Sequence, residues 1–408
     1  MKRGSDIISE MFCGYGVSHV FYMEAVLRKT MVAFEKSGIS RILAHSEKGA
    51  VYMADGFARA SRRVGVCMAQ SVGAANLASG LQDAFLSHSP VLAITGRKPS
   101  FERHRNAYQE IDHWPLFEPV TKFNISVHTL GELPQALRQA FREAVVGAPG
   151  PVHLDIPNHQ AALVESEESE VPPIVDKRFR AVPPFRPCPE PEDVKAAVQE
   201  IYAAKKPVLI FGGGAIISGA HPESLKLVET LCIPFATTVD GKGIILDSHP
   251  LCLGPVGLYG RKCANDMVAE ADLVVFVGSG TGDQATSNWT IPSKSAAIIQ
   301  IDIDPSELGR NYPNRVSLMA DAKTALSKIN ETLRGPHGSS QTWGSKTTKM
   351  VTDWRKAQSV IRTSNDTPIK TERLAQAVQE ALPADSSLVV DTGFSAVWGA
   401  SIIELTKP

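Results

Sequence analysis

The chain has 408 residues, and at about 100–200 residues per domain this length predicts two to four domains. Hydrophobic residues make up 43% and charged residues 21%, which excludes a disordered, collagenous or coiled-coil chain. Lys and Arg total 42 against 43 Asp and Glu, so the formal net charge is −1. Because there is no basic excess, we expect neither nucleic acid nor a membrane surface as a partner.

The N-terminus and the cysteines predict the compartment. Asp6 precedes any apolar stretch, which argues against a secretory signal, and no apolar run reaches the roughly 18 residues of a membrane span. Six cysteines are scattered without metal-ligand spacing. We therefore interpret the chain as a cytoplasmic protein with reduced, buried thiols, and we assign no metal ligand.

Short apolar runs that stop at a glycine, a proline or a small polar residue recur along the chain, as in parallel strands covered on both faces. They predict strands over 17–21, 41–44, 64–69, 90–95, 151–156, 207–211, 272–277, 296–303 and 387–390. Helical patterns lie between them. Over 49–61, for example, Ala50, Ala54 and Phe57 form one apolar stripe. The alternation predicts layered α/β units with ligands outside the carboxyl ends of the strands.

Two stretches interrupt this alternation. Residues 165–190 are acidic and then proline-rich, which predicts an extended linker. Residues 335–368 begin with a polar stretch and form a second predicted linker. The predicted organisation is a domain over 1–164, a second over 191–334, and the start of a third over 369–408.

Two glycine-rich turns follow strands of the predicted second domain, at 212–214 and 278–283. Glycine lets the backbone approach a phosphate at a helix N-terminus, but such turns are also ordinary connections in α/β folds. Asp302 and Asp304 lie on one face of a strand end, where they fit either an adenosine ribose or solvent. The pattern leaves nucleotide binding and simple turn structure both open.

The predicted first domain places polar residues at the ends of neighbouring strands. Residues 45–49 open the helix over 49–61, where the helix dipole explains an acidic Glu47, an effect of about 0.3–1 kcal/mol. Residues 70–76 follow the next strand, and residues 83–90 lie at the same presumed sheet edge. We interpret His88, which belongs to the last of these segments, as a loop histidine.

The order of these motifs resembles a known family. The segment 45–50 (His-Ser-Glu-Lys-Gly-Ala) is similar to the glutamate segment of thiamine-diphosphate-dependent enzymes of the acetolactate synthase group. Residues 73–80 resemble the segment that follows it in that family. Further similar segments occur in family order at 90–96, 108–112, 119–122, 149–152 with 155–157, 206–208 and 301–304. The resemblance implies a pyrimidine-binding domain and then a central Rossmann-like domain, each a doubly wound parallel sheet.

The resemblance gives Glu47 a specific role. In this family the glutamate hydrogen-bonds N1′ of the cofactor's aminopyrimidine, and the resulting tautomer takes the proton from C2, the carbon that attacks a 2-oxo acid. Such a carboxyl group needs a mostly apolar pocket where it can share a proton. By the same resemblance, Gly73 and Asn76 lie near the pyrimidine or substrate. Gln109 lines the reaction chamber as a second catalytic residue.

The chain departs from the family pattern at several positions. Gln70 stands where benzoylformate-decarboxylase-like relatives carry a working histidine, and Asn158 stands where acetolactate synthases carry lysine. The sequence contains no Gly-Asp-Gly segment, which in the family helps hold Mg²⁺ and the diphosphate. Residues 389–398 resemble only the first strand of the family's diphosphate-binding domain, so we interpret the chain as C-terminally truncated.

The sequence therefore predicts a thiamine-diphosphate-dependent carboligase or lyase acting on 2-oxo acids, acetolactate synthase-like. Mg²⁺ is an expected cofactor, and FAD or ADP is a further candidate ligand. A homodimer or homotetramer is expected for the full-length protein, because the family builds its site between subunits. The alternative hypothesis is a non-catalytic remnant that acts as a binding or regulatory module.

Overall fold

The computed structural model describes residues 1–24, 26–157, 161–383 and 385–407. The predicted departure at Asn158 lies outside these residues. The chain divides into two compact units, Met1–Phe185 and Arg186–Pro408.

The first unit alternates strands and helices. In chain order its elements are β1 (Lys2–Arg3), α1 (Gly4–Tyr15), β2 (His19–Tyr22), α2 (Arg28–Lys36), β3 (Ser40–Leu43), α3 (Glu47–Ser61), β4 (Gly65–Gln70), α4 (Gly73–Leu86), β5 (Val91–Gly96), α5 (Trp114–Phe117), β6 (Phe123–Ser126), α6 (Leu133–Val145), β7 (Val152–Ile156), α7 (Ala162–Ser166) and β8 (Glu168–Ser169). Six strands form a sheet in the order β3-β2-β4-β5-β7-β6. All of its neighbours are parallel, and β1 pairs with β8 separately.

Both faces of this sheet are covered by helices. Val66 and Met68 of β4 join the apolar core that includes α1, α2 and α6. The intervening Cys67 and Ala69 join the core of α3 and α4 on the other face. This alternation follows from the two-residue period of a strand, and it explains why the strand is apolar at every position.

The second unit has the same design. Its elements are α8 (Pro191–Ala203), β9 (Pro207–Phe211), α9 (Gly213–Ser218), α10 (His221–Leu231), β10 (Phe235–Thr237), β11 (Cys252–Pro255), α11 (Lys262–Glu270), β12 (Leu273–Val277), α12 (Asp283–Thr286), β13 (Ala297–Asp302), β14 (Val316–Met319), α13 (Ala322–Thr332), α14 (Ser340–Arg362), α15 (Thr371–Ala381) and α16 (Phe394–Ile402). The parallel sheet has the order β11-β10-β9-β12-β13-β14. Leu209 and Phe211 of β9 pack with α8, α10 and α13, whereas Val208 and Ile210 belong to the core of α11 and α14. The predicted fold of successive doubly wound parallel sheets is confirmed.

Three segments differ from the sequence-based expectation. The predicted strand over 387–390 is not a strand, and Val389 is 93% exposed. Among the described residues, no neighbouring strand lies there to pair with its backbone. The predicted linker over 335–368 contains the 23-residue helix α14. Residues 165–190 are mostly irregular but packed, since Phe179 is buried and the Tyr15 hydroxyl donates to the Ile174 carbonyl oxygen at 3.1 Å.

The cysteines are all free, as expected, but only half of them are buried. Cys67, Cys252 and Cys263 are buried, whereas Cys13 and Cys188 are exposed. Within the described residues, none of the helices combines the length and apolar character that crossing a bilayer requires.

Candidate functional site

The start of α3 places Glu47 at the carboxyl edge of the first sheet. The preceding Ser46 is extended and caps the helix, because its hydroxyl oxygen accepts from the backbone N–H of Gly49 at 3.0 Å. Serine is a preferred residue at this position since it satisfies one of the free N–H groups of the first turn. Glu47 is the first helical residue, a position at which the helix dipole interacts favourably with an acidic side chain.

The start of α4 lies directly against this carboxylate. Asn76 donates from Nδ2 to Oε2 of Glu47 at 3.0 Å. A Cβ atom built on Gly73 would lie 2.8 Å from Glu47 Oε1 and 3.0 Å from its Cγ. Two helical turns further, a Cβ on Gly80 would lie 3.0 Å from Cβ of Val51. The two glycines therefore let α4 pack closely on α3, and the structure brings Glu47, Gly73 and Asn76 together.

Gln109 lies in the loop before α5 and contacts a different residue of the same sheet edge. It has a φ of 58°, and its Oε1 accepts from Nε2 of Gln70 at 3.4 Å. Its own Nε2 donates to the hydroxyl of the exposed Tyr108 at 3.2 Å. Within the described residues, Gln109 makes no hydrogen bond to Glu47. Gln70 ends β4 and Gly73 begins α4, so the two groups flank one short connection.

A buried polar network lies beneath this connection, and the sequence analysis missed it. It consists of Thr95, Arg97, Glu110, His113, His153 and Asp155. Burial opposes charge on Asp155, but His113 and Arg97 together hold the pKa of that carboxyl well below its usual range. Burial also lowers the pKa of His153 to about 3. Glu110 and Asp155 lie within segments whose sequence resembles the family. His113 and His153 come from separate elements, and their spacing in the sequence gave no indication that they meet.

The glycine-rich turns of the second unit pack on each other. The backbone N–H of Gly214 donates to the Gly278 carbonyl oxygen at 3.0 Å, and a Cβ on Gly212 would lie 2.2 Å from that same oxygen. Close packing of the two turns therefore explains why glycine occupies these positions. Asp302 ends β13, and burial raises its pKa to about 6.

Comparison with known proteins identifies the class to which this fold and site belong. Residues 2–116 match the family model "Thiamine pyrophosphate enzyme, N-terminal TPP binding domain". Residues 194–329 match "Thiamine pyrophosphate enzyme, central domain". The chain belongs to the thiamine-diphosphate-dependent enzyme family, within its acetolactate synthase-like group.

Individual relatives agree with this assignment. A probable acetolactate synthase large subunit of Methanocaldococcus jannaschii is 35% identical over all of this chain and 69% of its own length. The acetolactate synthase isozyme 1 large subunit of Escherichia coli is 32% identical over 92% of this chain and 64% of its own length. An acetolactate synthase of Arthrospira platensis is 38% identical over 77% of this chain and 55% of its own length. The chain thus spans between about half and about two thirds of the length of these relatives.

The residues at the α3–α4 contact fit the aminopyrimidine of thiamine diphosphate. Asn76 holds Oε2 of Glu47, and among the described residues nothing hydrogen-bonds Oε1, so this oxygen is free to pair with a ring nitrogen. The missing side chain at Gly73 keeps open the space that a Cβ would fill beside Oε1. The site therefore offers a carboxylate that is held through one oxygen and available through the other.

Proposed function

We propose that this chain carries the pyrimidine-binding half of a thiamine-diphosphate-dependent carboligase or lyase that acts on 2-oxo acids, as in acetolactate synthases. The observation that supports it most is the contact of Glu47 with Asn76 and Gly73. It combines a carboxylate, a side chain that fixes one of its oxygens, and a glycine that leaves room beside the other.

Each residue then has a defined task. Thiamine diphosphate, when bound, supplies a carbon nucleophile and an electron sink for 2-oxo acid chemistry. Glu47 holds or returns a proton at the pyrimidine nitrogen through Oε1, while Asn76 keeps the carboxylate oriented through Oε2. Gly73 keeps the approach to Oε1 open. Gln109, paired with Gln70, is proposed to present its amide to the substrate side of the chamber.

Titration calorimetry with thiamine diphosphate and Mg²⁺ tests this proposal. For the full-length protein we expect saturable binding, and with pyruvate as the 2-oxo acid we expect acetolactate for a carboligase or acetaldehyde for a simple decarboxylase. Absence of both binding and product, in a protein whose circular dichroism shows a folded chain, would contradict the proposal. That result would favour the alternative of a non-catalytic binding or regulatory module.

The finer cofactor assignments belong to the same proposal. We propose that Mg²⁺ accompanies the diphosphate, as hard oxygen ligands suit this ion. Binding of FAD or ADP is supported by Asp302, which lies at the end of β13 near the glycine-rich turns. The packing of Gly212 against Gly278 weighs against such binding. Separate calorimetric titrations with FAD and with ADP test this assignment. If neither titration releases or absorbs heat, both ligands are excluded.

We also propose a homodimer or homotetramer in the cytoplasm for the full-length protein. Two relatives named above are called large subunits, which supports subunit assembly. Sedimentation equilibrium is the test, and a concentration-independent monomer of the full-length protein would contradict it.

A further inference from the structure

The buried network beneath the β4–α4 connection has a defined hydrogen-bonding pattern. His113 and His153 have no exposed surface, and Asp155 and Arg97 are each 2% exposed. The hydroxyl of Thr95 lies at the centre of the network. Its oxygen is 2.7 Å from Nε2 of His153, 2.9 Å from Nδ1 of His113 and 3.0 Å from Oδ1 of Asp155.

The neighbours of His153 determine which of its ring nitrogens carries a proton. Asn124 uses its Nδ2 to donate to the Trp114 carbonyl oxygen at 3.1 Å, so its Oδ1 is the atom that faces Nδ1 of His153 at 2.7 Å. Nδ1 must therefore carry a proton. Burial lowers the pKa of His153 to about 3, so the ring is neutral and its Nε2 accepts. Within the described part of the chain, the proton that faces Nε2 is the hydroxyl proton of Thr95.

The protonation of the His113 ring can then be deduced from the atoms that its two nitrogens face. Its Nε2 faces the carbonyl oxygen of Ser71 at 3.1 Å, which can only accept. Its Nδ1 faces Oδ1 of Asp155 at 3.0 Å and the Thr95 oxygen, whose proton is already used. Arg97 donates from Nε to the other Asp155 oxygen at 2.7 Å, which keeps this carboxyl ionised. Both ring nitrogens of His113 thus face acceptors.

We propose that His113 is a doubly protonated imidazolium, paired with Asp155, and that it is the positioning residue which fixes the β4–α4 connection carrying the cofactor-binding residues. His113 contacts the carbonyl oxygen of Ser71, which lies two residues before Gly73. Ser71 has a φ of 36°, a backbone conformation that non-glycine residues adopt only when their surroundings hold them there. Its N–H also donates to the Gly96 carbonyl oxygen at 2.6 Å.

The same network reaches the loop that carries Gln109. Glu110 accepts from Nη1 of Arg97 at 3.2 Å and from the backbone N–H of Lys98 at 3.0 Å. Arg103 faces Glu110 at 3.9 Å from the more exposed side. The network therefore connects the Gln109 loop and the β4–α4 connection to β5 and β7. This explains how Gln70 and Gln109, from distant parts of the chain, are held in contact.

A metal ion is the competing explanation for this cluster. One ligand atom each from His113, His153 and Asp155 lie within 4.8 Å of one another, a combination that zinc can take. However, the Thr95 oxygen is within 3.0 Å of all three groups. It occupies the position between them, where it donates its proton to Nε2 of His153. We therefore assign a hydrogen-bonded charge network.

Nitrogen-15 NMR of histidine-labelled protein tests the protonation directly. At pH 8.5 we expect both His113 ring nitrogens at the shifts of protonated nitrogens, because both face hydrogen-bond acceptors. The signals are assigned by their loss in His113→Asn. A neutral His113 at this pH would overturn the assignment, as would shifts of these signals on addition of one equivalent of Zn²⁺. This measurement requires no cofactor, so it stands apart from the proposed function.

The positioning role rests on the proposed function and is tested by exchange of the C2 proton of bound thiamine diphosphate. We expect His113→Leu to slow exchange by about tenfold to a hundredfold, as displaced catalytic groups do, with cofactor affinity changed less than about twofold. His113→Asn keeps a donor for Ser71 and should recover part of the rate. His88→Asn is the matched control, because His88 is an exposed histidine with a φ of 54° after the far end of α4.

The outcomes separate the two proposals. Wild-type protein without exchange would contradict the proposed function and leave the NMR result to decide the state of His113. Exchange in a folded His113→Leu within twofold of wild type would overturn the positioning role. If that variant does not fold, His113→Asn decides, because an unchanged rate together with an unchanged pH profile would equally overturn it.

Discussion

Glu47 shows how the proposed function of one residue depends on its neighbours. On sequence alone it is an acidic residue in a first helical turn, which the helix dipole is enough to explain. In the structure, Asn76 holds one of its oxygens and Gly73 leaves the other accessible. Its chemical role therefore depends on α4 lying close to α3, and this closeness is what substitutions at single residues can test.

Gly73→Ala is predicted to disturb Glu47 with only a small loss of stability. The new Cβ would lie 2.8 Å from Glu47 Oε1, so the carboxylate must move and C2 proton exchange should fall by about tenfold or more. The free energy of unfolding should fall by less than about 1 kcal/mol, because alanine is the better helix former. Gly56→Ala is the control, since nothing lies within 4 Å of its Cβ position. Equal exchange rates in both variants would contradict this explanation of Gly73.

Asp302 predicts a pH dependence of stability in the second unit. Burial raises its pKa to about 6, above its ordinary value of about 3.9, so the folded state binds the extra proton between these two values. Stability contributed by this group is then present below about pH 4 and is lost as the pH rises through about 6. Asp302→Asn should raise the free energy of unfolding at pH 7.5 by about 1–3 kcal/mol and change it little at pH 4.

Urea denaturation followed by circular dichroism at both pH values checks this prediction. Asp385→Asn, at an exposed position, is the control and should show no such difference between the two conditions. A gain at pH 7.5 that is no larger than the gain at pH 4 would show that Asp302 is not the group responsible.

At the scale of elements, strand and helix prediction worked where the pattern was local. β4, β5, β9 and β12 all begin and end within about one residue of the predicted runs, because strands buried on both faces must be apolar throughout. α14 was missed since its first turns are polar and rich in serine and threonine. Its stability comes from Trp343 and Val351, which pack in the core of the second unit, and tertiary contacts of this kind are not visible in the sequence.

Trp343→Ala tests whether α14 is an integral part of the second unit. The Trp343 side chain is 4% exposed, and its Nε1 donates to the Pro207 carbonyl oxygen at 3.0 Å. We expect a loss of about 3–5 kcal/mol, as for other large buried side chains. Val360→Ala on the same helix is the control, since Val360 is 72% exposed and should change stability by less than about 0.5 kcal/mol. Similar urea midpoints for the two variants would mean that α14 behaves as a linker.

At the scale of the whole chain, the order of motifs was more informative than any single one. It predicted two doubly wound sheets and the family, and both are confirmed. The candidate site was predicted in part, because Glu47, Gly73 and Asn76 lie in family-like segments close in sequence. The network around His113 was not predictable, since its members come from β5, β7 and two loops that only the folded chain brings together.

The central claim is that Glu47 is the residue that activates the bound cofactor. Deuterium exchange at C2 of thiamine diphosphate, with Mg²⁺ present, measures that activation directly. We predict that Glu47→Gln slows exchange by about 10²–10⁴-fold with unchanged circular dichroism, whereas Glu118→Gln, at an exposed position, exchanges like the wild type. Exchange in Glu47→Gln at the wild-type rate would contradict the account.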